Sequence, residues 1–290
     1  MPARPAALPG RYNRLVRTFR YVLLDVFTDT PLEGNQLAVF TDARDLDTLT
    51  MQALARETNL SETVFVLPPQ ADGHVRIRIF TPHAELPFAG HPTLGAAFAL
   101  AAPLQLGIIR IETGAGVIPV ELERGQNGRI VFGKMEQPIP TFASYERADE
   151  LLDTLGVSSS LPVELYDNGV QHVYVACSSE EEVAALTPDV RRFGLVGINC
   201  FAGAGERWKT RMFGMGLVED PATGSAAGPL AVHLARHGLV PWGTRIEIRQ
   251  GAEIGRPSTL HALAEGSDAA IERVEVGGSA VTVARGEFRF

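Results

Sequence analysis

One short phrase occurs twice in this chain and constrains its fold more than any other feature. Around residue 85 the sequence reads Glu85-Leu86-Pro87-Phe88-Ala89-Gly90-His91; around residue 219 it reads Glu219-Asp220-Pro221-Ala222-Thr223-Gly224-Ser225. Glu, Pro and Gly recur at one spacing, and each copy runs into an Ala-rich apolar segment. The pattern predicts a duplicated supersecondary unit, a Gly turn feeding a helix N-terminus. If the copies face each other, unpaired N–H groups and two helix dipoles converge on a cleft that favours an anion.

The 290 residues suffice for two domains of ordinary size or one large one. A net charge of −8 argues against nucleic acid or an anionic membrane as the main partner, but leaves room for an acidic small molecule at a local site. The best apolar run, Leu94 to Ile109, is broken by Pro103 and Gln105, so no transmembrane span is expected. Cys177 and Cys200 form no CxxC pair and read as buried free thiols, which fits a cytoplasmic protein. Residues 1–17 carry Arg4, Arg11, Arg14 and Arg17 among prolines and alanines, without the apolar core of a secretory signal. A disordered tail is expected there.

Periodicity predicts strands at 21–27, 37–40, 63–67 and 74–80, with a helix over 45–58. A second helix should start near Pro92 and stop at Pro103, followed by a meander over 108–134. Gln137-Pro138-Ile139-Pro140-Thr141 reads as a linker. After it the pattern restarts: helices at 146–155, 180–186 and 226–236, and strands at 163–166, 170–176, 196–200, 209–213, 245–249, 259–264, 271–276 and 280–290. Pro229 fits the 226–236 helix only within about its first turn. The expected class is α+β: two pseudo-symmetric lobes, 18–136 and 137–276, each a mainly antiparallel sheet around a central Ala-rich helix. A strand at 277–290 could return to the first lobe. Helices apolar on all sides are helices wrapped by other structure.

Few side chains suggest chemistry. Glu62 enters the apolar run Thr63-Val64-Phe65-Val66-Leu67, as the exposed start of a strand or as a buried carboxyl with a raised pKa. His91 is either a structural cap or a proton relay at a helix start. Asp220 suits an Asx-turn or an anchor for an amine, and Ser225 an N-cap or, with Gly224, a donor to a carboxylate. His233 and His237 share a helix face, but no third metal ligand is apparent. Gly203-Ala204-Gly205 and Gly114-Ala115-Gly116 lack the rest of a dinucleotide fingerprint, and no P-loop or nucleophile elbow is present.

In this order, Asp25-Val26-Phe27, Pro31-Leu32-Glu33-Gly34-Asn35, Asn59-Leu60-Ser61-Glu62-Thr63, Glu85 to Pro92 and Glu219 to Ala226 resemble the signature of the phenazine-biosynthesis PhzF-like family. The resemblance runs from about Tyr21 to the C-terminus. Asn199-Cys200-Phe201-Ala202-Gly203-Ala204-Gly205 and Glu253-Ile254-Gly255-Arg256-Pro257-Ser258 extend it toward the family's isomerases. It implies the diaminopimelate epimerase-like fold and a homodimeric isomerase without metal or organic cofactor. Such an enzyme moves a proton between carbons of a small cyclic amino or hydroxy acid, such as trans-2,3-dihydro-3-hydroxyanthranilate. It further implies Glu62, His91 and Asp220 as catalytic residues, and Ser61, Gly90, Gly224, Ser225 and Asn35 as substrate-binding ones. Relatives in the epimerase and racemase groups carry a pair of cysteines beside the glycine turns, and here those turns hold none. Phe213 to Glu219 also reads as shorter than the family's loop into the pocket, which bears on substrate identity. The alternatives are an isomerase or epimerase of an unrelated small acid, and a non-catalytic ligand-binding protein on the same fold.

Overall fold

The computed structural model describes residues 16–290 apart from residue 195. The first half contributes β1 (Thr18–Val26), β2 (Asn35–Phe40), α1 (Thr48–Thr58), β3 (Glu62–Leu67), β4 (Val75–Phe80), β5 (Glu85–Leu86), α2 (Gly90–Leu104), β6 (Ile108–Thr113), β7 (Gly116–Arg124) and β8 (Ile130–Gln137). The second contributes β9 (Thr141–Ser144), α3 (Ala148–Leu155), β10 (Glu164–Asp167), β11 (Gln171–Ala176), α4 (Glu180–Ala185), β12 (Gly197–Ala204), β13 (Arg207–Gly214), β14 (Leu217–Asp220) and α5 (Gly224–Arg236). It ends with β15 (Ile246–Gln250), β16 (Ser258–Ser267), β17 (Ala270–Gly278) and β18 (Ala280–Arg289).

Strand pairing repeats between the halves. In the first, β1–β2 is antiparallel, β2–β3 parallel, β3–β4 antiparallel, β4–β6 parallel, and β6–β7 and β7–β8 antiparallel. In the second, the same sequence of pairings runs β10–β11, β11–β12, β12–β13, β13–β15, β15–β16 and β16–β17. Short β5 and β14 take matching places on β4 and β13. The β8–β17 pair joins the halves, while β18 returns to β1 and β9 takes the matching place on β10. The result is the α+β arrangement of two pseudo-symmetric lobes.

Small side chains let each sheet close on its helix. Ala96, Ala97 and Ala101 of α2 and Ala226, Ala227, Ala231 and Ala235 of α5 are buried. Helix α2 packs on β1 and β8, α5 packs on β16 and β17, and the helices touch each other. Leu94 and Phe98 of one and Leu230 and Leu234 of the other share a core with Leu24, Val64, Ile246 and Val274. Each such side chain contributes about 1.5–3 kcal/mol when fully buried.

Three expectations need correction. Helix α5 starts at Gly224 with Thr223 as its N-cap, so Ser225 lies inside the first turn rather than at the cap, and Pro229 sits inside the helix. Pro229 has no N–H for the Ser225 carbonyl; Asn168 Nδ2 donates to that carbonyl instead, at 2.9 Å. Helix α2 runs on past Pro103 to Leu104. The tail expected over 1–17 falls outside the described residues except at its end, where Arg17 pairs with Phe290, its N–H donating to the Phe290 carbonyl at 3.0 Å. Among the described residues no helix is long and apolar enough to cross a membrane.

Candidate active site

The two repeated turns meet. A Cβ on Gly90 would lie 3.2 Å from the Gly224 carbonyl carbon and 3.3 Å from the Ser225 nitrogen, and one on Gly224 would lie 3.1 Å from the His91 nitrogen. Any side chain at either position would push the helix starts apart. Gln137, at the end of β8, donates from Nε2 to the Gly224 carbonyl at 2.8 Å and ties the junction to the strand that joins the lobes. The repeated Glu has a structural partner in each lobe. Arg78 of β4 grips Glu85 with bonds of 2.7 and 2.6 Å, and Arg211 of β13 grips Glu219 with bonds of 2.9 and 2.6 Å. Each fork fixes the strand that leads into its turn.

Glu62 opens β3 beside this junction. Its Oε2 lies 3.2 Å from His91 Nδ1, and that buried oxygen makes no hydrogen bond among the described residues. Burial, with the nearby Asp220 carboxyl adding to it, pushes the Glu62 pKa up to about 8. His91 stands at the second position of α2, behind Ala89 as N-cap, so it does not cap the helix. Its Nε2 faces the Gln36 carbonyl at 3.4 Å, and burial lowers its pKa to about 4. Near neutral pH the imidazole is therefore uncharged and the carboxyl mostly protonated, so proximity does not make them an ion pair. A carboxyl poised near neutrality beside a neutral imidazole is equipped to give and take a proton.

Asp220 closes β14 and is buried. Its Oδ1 accepts from Asn35 Nδ2 at 3.0 Å and its Oδ2 from Thr223 Oγ1 at 2.6 Å. Burial raises its pKa to about 6, with the Thr223 and Asn35 donors pulling the other way. Asn35 opens β2 and reaches across the lobes; its amide also donates to the Ala222 carbonyl at 2.9 Å, and its Oδ1 accepts from Ser61 Oγ at 3.2 Å. Ser61 and Asn35 thus connect to Asp220 as one chain of hydrogen bonds. Gln250 reinforces it, donating to the Asp220 carbonyl at 2.8 Å and to Thr223 Oγ1 at 2.9 Å.

Like Gln250, two further residues of this junction were not singled out from the sequence. His172 Nε2 lies 2.9 Å from Ser225 Oγ, and Asn199 Nδ2 lies 3.3 Å from His172 Nδ1. Only the Asn199 segment carried a signal, through the family resemblance; a lone His in an alternating strand carries none. A cavity of about 430 Å³ adjoins the junction, bounded by Phe27, Lys209, Arg249 and Gln250 among others, but Glu62, His91 and Asp220 do not line it.

A third partner for His233 and His237 does exist: Glu164 of β10. Glu164 Oε2 lies 3.2 Å from His233 Nδ1 and 3.1 Å from His237 Nε2, but accepts from Arg236 at 2.8 Å and Tyr166 at 3.0 Å as well. Burial opposes ionisation of Glu164, yet the bonds from His233, His237, Arg236 and Tyr166 hold its carboxyl well below the usual range. The Arg236 guanidinium already bonds to that same oxygen.

Comparison with known proteins agrees with this architecture. Residues 24–286 match the family described as phenazine biosynthesis-like protein. The chain is 54% identical over 272 residues to the trans-2,3-dihydro-3-hydroxyanthranilate isomerase of Pseudomonas fluorescens, covering 92% of this chain and 98% of that one. A Bacillus anthracis phenazine biosynthesis protein of the PhzF family superposes with a TM-score of 0.83 at 26% identity, covering 94% of this chain and 99% of that one. A hydroxyproline epimerase from Agrobacterium vitis shares the fold alone, with a TM-score of 0.63 at 12% identity over 94% and 91% of the two chains. The chain belongs to the phenazine biosynthesis-like family.

Proposed function

We propose that this member of the family is a cofactor-independent isomerase that moves a proton between carbons of trans-2,3-dihydro-3-hydroxyanthranilate or a close analogue, with Glu62 as general base and acid. One observation carries the reading: a buried carboxyl, with an oxygen that makes no hydrogen bond among the described residues and its pKa raised to about 8, faces a neutral imidazole where two helix starts meet. The named activity of a relative 54% identical supports the substrate class. As carboxylate, Glu62 takes a proton from a carbon activated by neighbouring unsaturation; the acid so formed returns it at another carbon. His91 assists the transfer or holds the ring. Asp220, kept in place by Asn35, Ser61 and Thr223, binds the amine. Ser225 and the N–H groups of Gly90 and Gly224 bind the carboxylate. Closure of the lobes excludes water from these groups.

The partner is a small carboxylate. We further propose a homodimer, checked by light scattering, and a cytoplasmic setting, which the unbridged thiols of Cys177 and Cys200 favour. The testing experiment is turnover of trans-2,3-dihydro-3-hydroxyanthranilate by the purified protein as a function of pH. Because the base must be ionised, kcat/KM should rise with pH and level off above about 8. Tight binding of that compound with no turnover would replace this reading with the non-catalytic one.

A further inference from the structure

We infer that His172 and Asn199 form a positioning relay that commits the Ser225 hydroxyl proton to the carboxylate of the bound ligand; the identity of that ligand rests on the function proposed above. The relay starts at Asn199, buried on β12. Its Nδ2 lies 3.2 Å from the Gly197 carbonyl and 3.4 Å from the Val173 carbonyl. Carbonyls only accept, so this side of the amide is the NH2 group. The same Nδ2 lies 3.3 Å from His172 Nδ1. The amide has two hydrogens; the two carbonyls share one and the other points at Nδ1. Since an amide nitrogen does not accept, Nδ1 is bare and the ring proton sits on Nε2. Nε2 in turn lies 2.9 Å from Ser225 Oγ. The imidazole donates, the hydroxyl accepts, and the Ser225 proton is left for a partner on the other side.

The surroundings hold this arrangement in place. The His172 ring is fully buried, and burial keeps it neutral by lowering its pKa to about 3. A Cβ on Gly197 would lie 2.6 Å from His172 Nδ1, so only glycine leaves room for the ring. On the serine side, Asn168 holds the carbonyl that Pro229 leaves free. Ser225 is thereby fixed by backbone and by side chain. An anion at the helix starts meets a hydroxyl that can only donate to it, next to N–H groups that also only donate. The opposite tautomer would turn the hydroxyl inward and present a lone pair to the anion.

Two readouts test the relay. In protein labelled with 15N-histidine, NMR should show His172 protonated at Nε2 and bare at Nδ1 from pH 5 to 8, with the resonance assigned through His172→Gln. A proton on Nδ1 would overturn the relay, and this measurement uses the unaltered protein. The second readout is kinetic, with trans-2,3-dihydro-3-hydroxyanthranilate. His172→Leu fills the space without a donor; KM should rise about tenfold with kcat within about twofold. Ser225→Ala should behave alike, and the double variant should be no worse than Ser225→Ala alone. His172→Gln, whose amide nitrogen can donate, should restore KM to within about threefold. An unchanged KM in His172→Leu, or effects that multiply in the double variant, would refute the relay. If the parent turned nothing over, the proposed function would fail; the same variants would then be compared by titration with 3-hydroxyanthranilate, with a tenfold weaker Kd expected and an unchanged Kd refuting the relay.

Discussion

At the start of β3 the first lobe places Glu62, paired with Leu37 of β2; at the start of β12 the second lobe places Gly197, paired with His172 of β11. These are matching positions in a duplicated pairing scheme, and only one holds a carboxyl. In the other, the His172 ring occupies the space a side chain would need. The repeated phrase diverges in the same sense, with Leu86 against Asp220 and His91 against Ser225. The first lobe has the carboxyl raised to about 8, facing His91. In the second, the buried Asp220 carboxyl is tied by Asn35 and Thr223 and the buried His172 imidazole faces Ser225, groups that suit an amine and a carboxylate. Duplication supplies two equivalent frames around one cleft. The proposed chemistry needs a single base, because one carboxyl can remove a proton and then return it, so the second frame is free to bind.

The comparison breaks most visibly at Glu62. Glu62→Gln should lower turnover by on the order of 10²–10⁴-fold, the contribution of a general base. The same substitution should stabilise the protein as pH rises. The unfolded chain ionises Glu62 near 4.5, while the folded chain keeps the proton up to about 8, so parent stability falls between those values. The melting temperature of Glu62→Gln should equal the parent's near pH 4.5 and exceed it by a gap that widens to pH 8.

Smaller effects sharpen the contrast. The two Arg–Glu forks occupy equivalent places, but side-chain exposure is 9% and 4% for Arg211 and Glu219 against 18% and 39% for Arg78 and Glu85. Arg211 also donates to the carbonyls of Val183, Ala184 and Leu186. Arg211→Met leaves a buried carboxylate unpaired and should destabilise by about 3–5 kcal/mol. Gly197→Ala presses on the His172 ring and should destabilise by about 1–3 kcal/mol. Arg78→Met should change stability by about 1 kcal/mol or less. Urea denaturation of the three variants checks the order.

The duplication was legible because Glu, Pro and Gly each have a local job that repeats: an arginine partner, a turn and a close helix approach. Helix α1 was equally plain, with Asp47 accepting from the Thr50 N–H at 2.8 Å as its cap. Strands β5, β9 and β14 went unseen because they are short and each abuts a proline, Pro87, Pro140 and Pro221, that reads as a turn; β9 begins within the stretch read as a linker. Pro229 misled because the carbonyl it leaves free, that of Ser225, is held by Asn168, 57 residues from Ser225 in sequence. Pairings such as Ser225 with His172 and Glu164 with His233 span 53 and 69 residues and leave no trace in local spacing. Glu62 was readable as a candidate, but its burial against His91 and Asp220 is a property of the closed lobes.

The central claim is that the proton is carried from the first lobe alone. The most direct test follows exchange of substrate C–H with D2O by NMR in the parent, Glu62→Gln and Ser225→Ala, each saturated with trans-2,3-dihydro-3-hydroxyanthranilate. The account predicts exchange in the parent and in Ser225→Ala, and little or none in Glu62→Gln although it still binds. Exchange by Glu62→Gln at the parent's rate would contradict it.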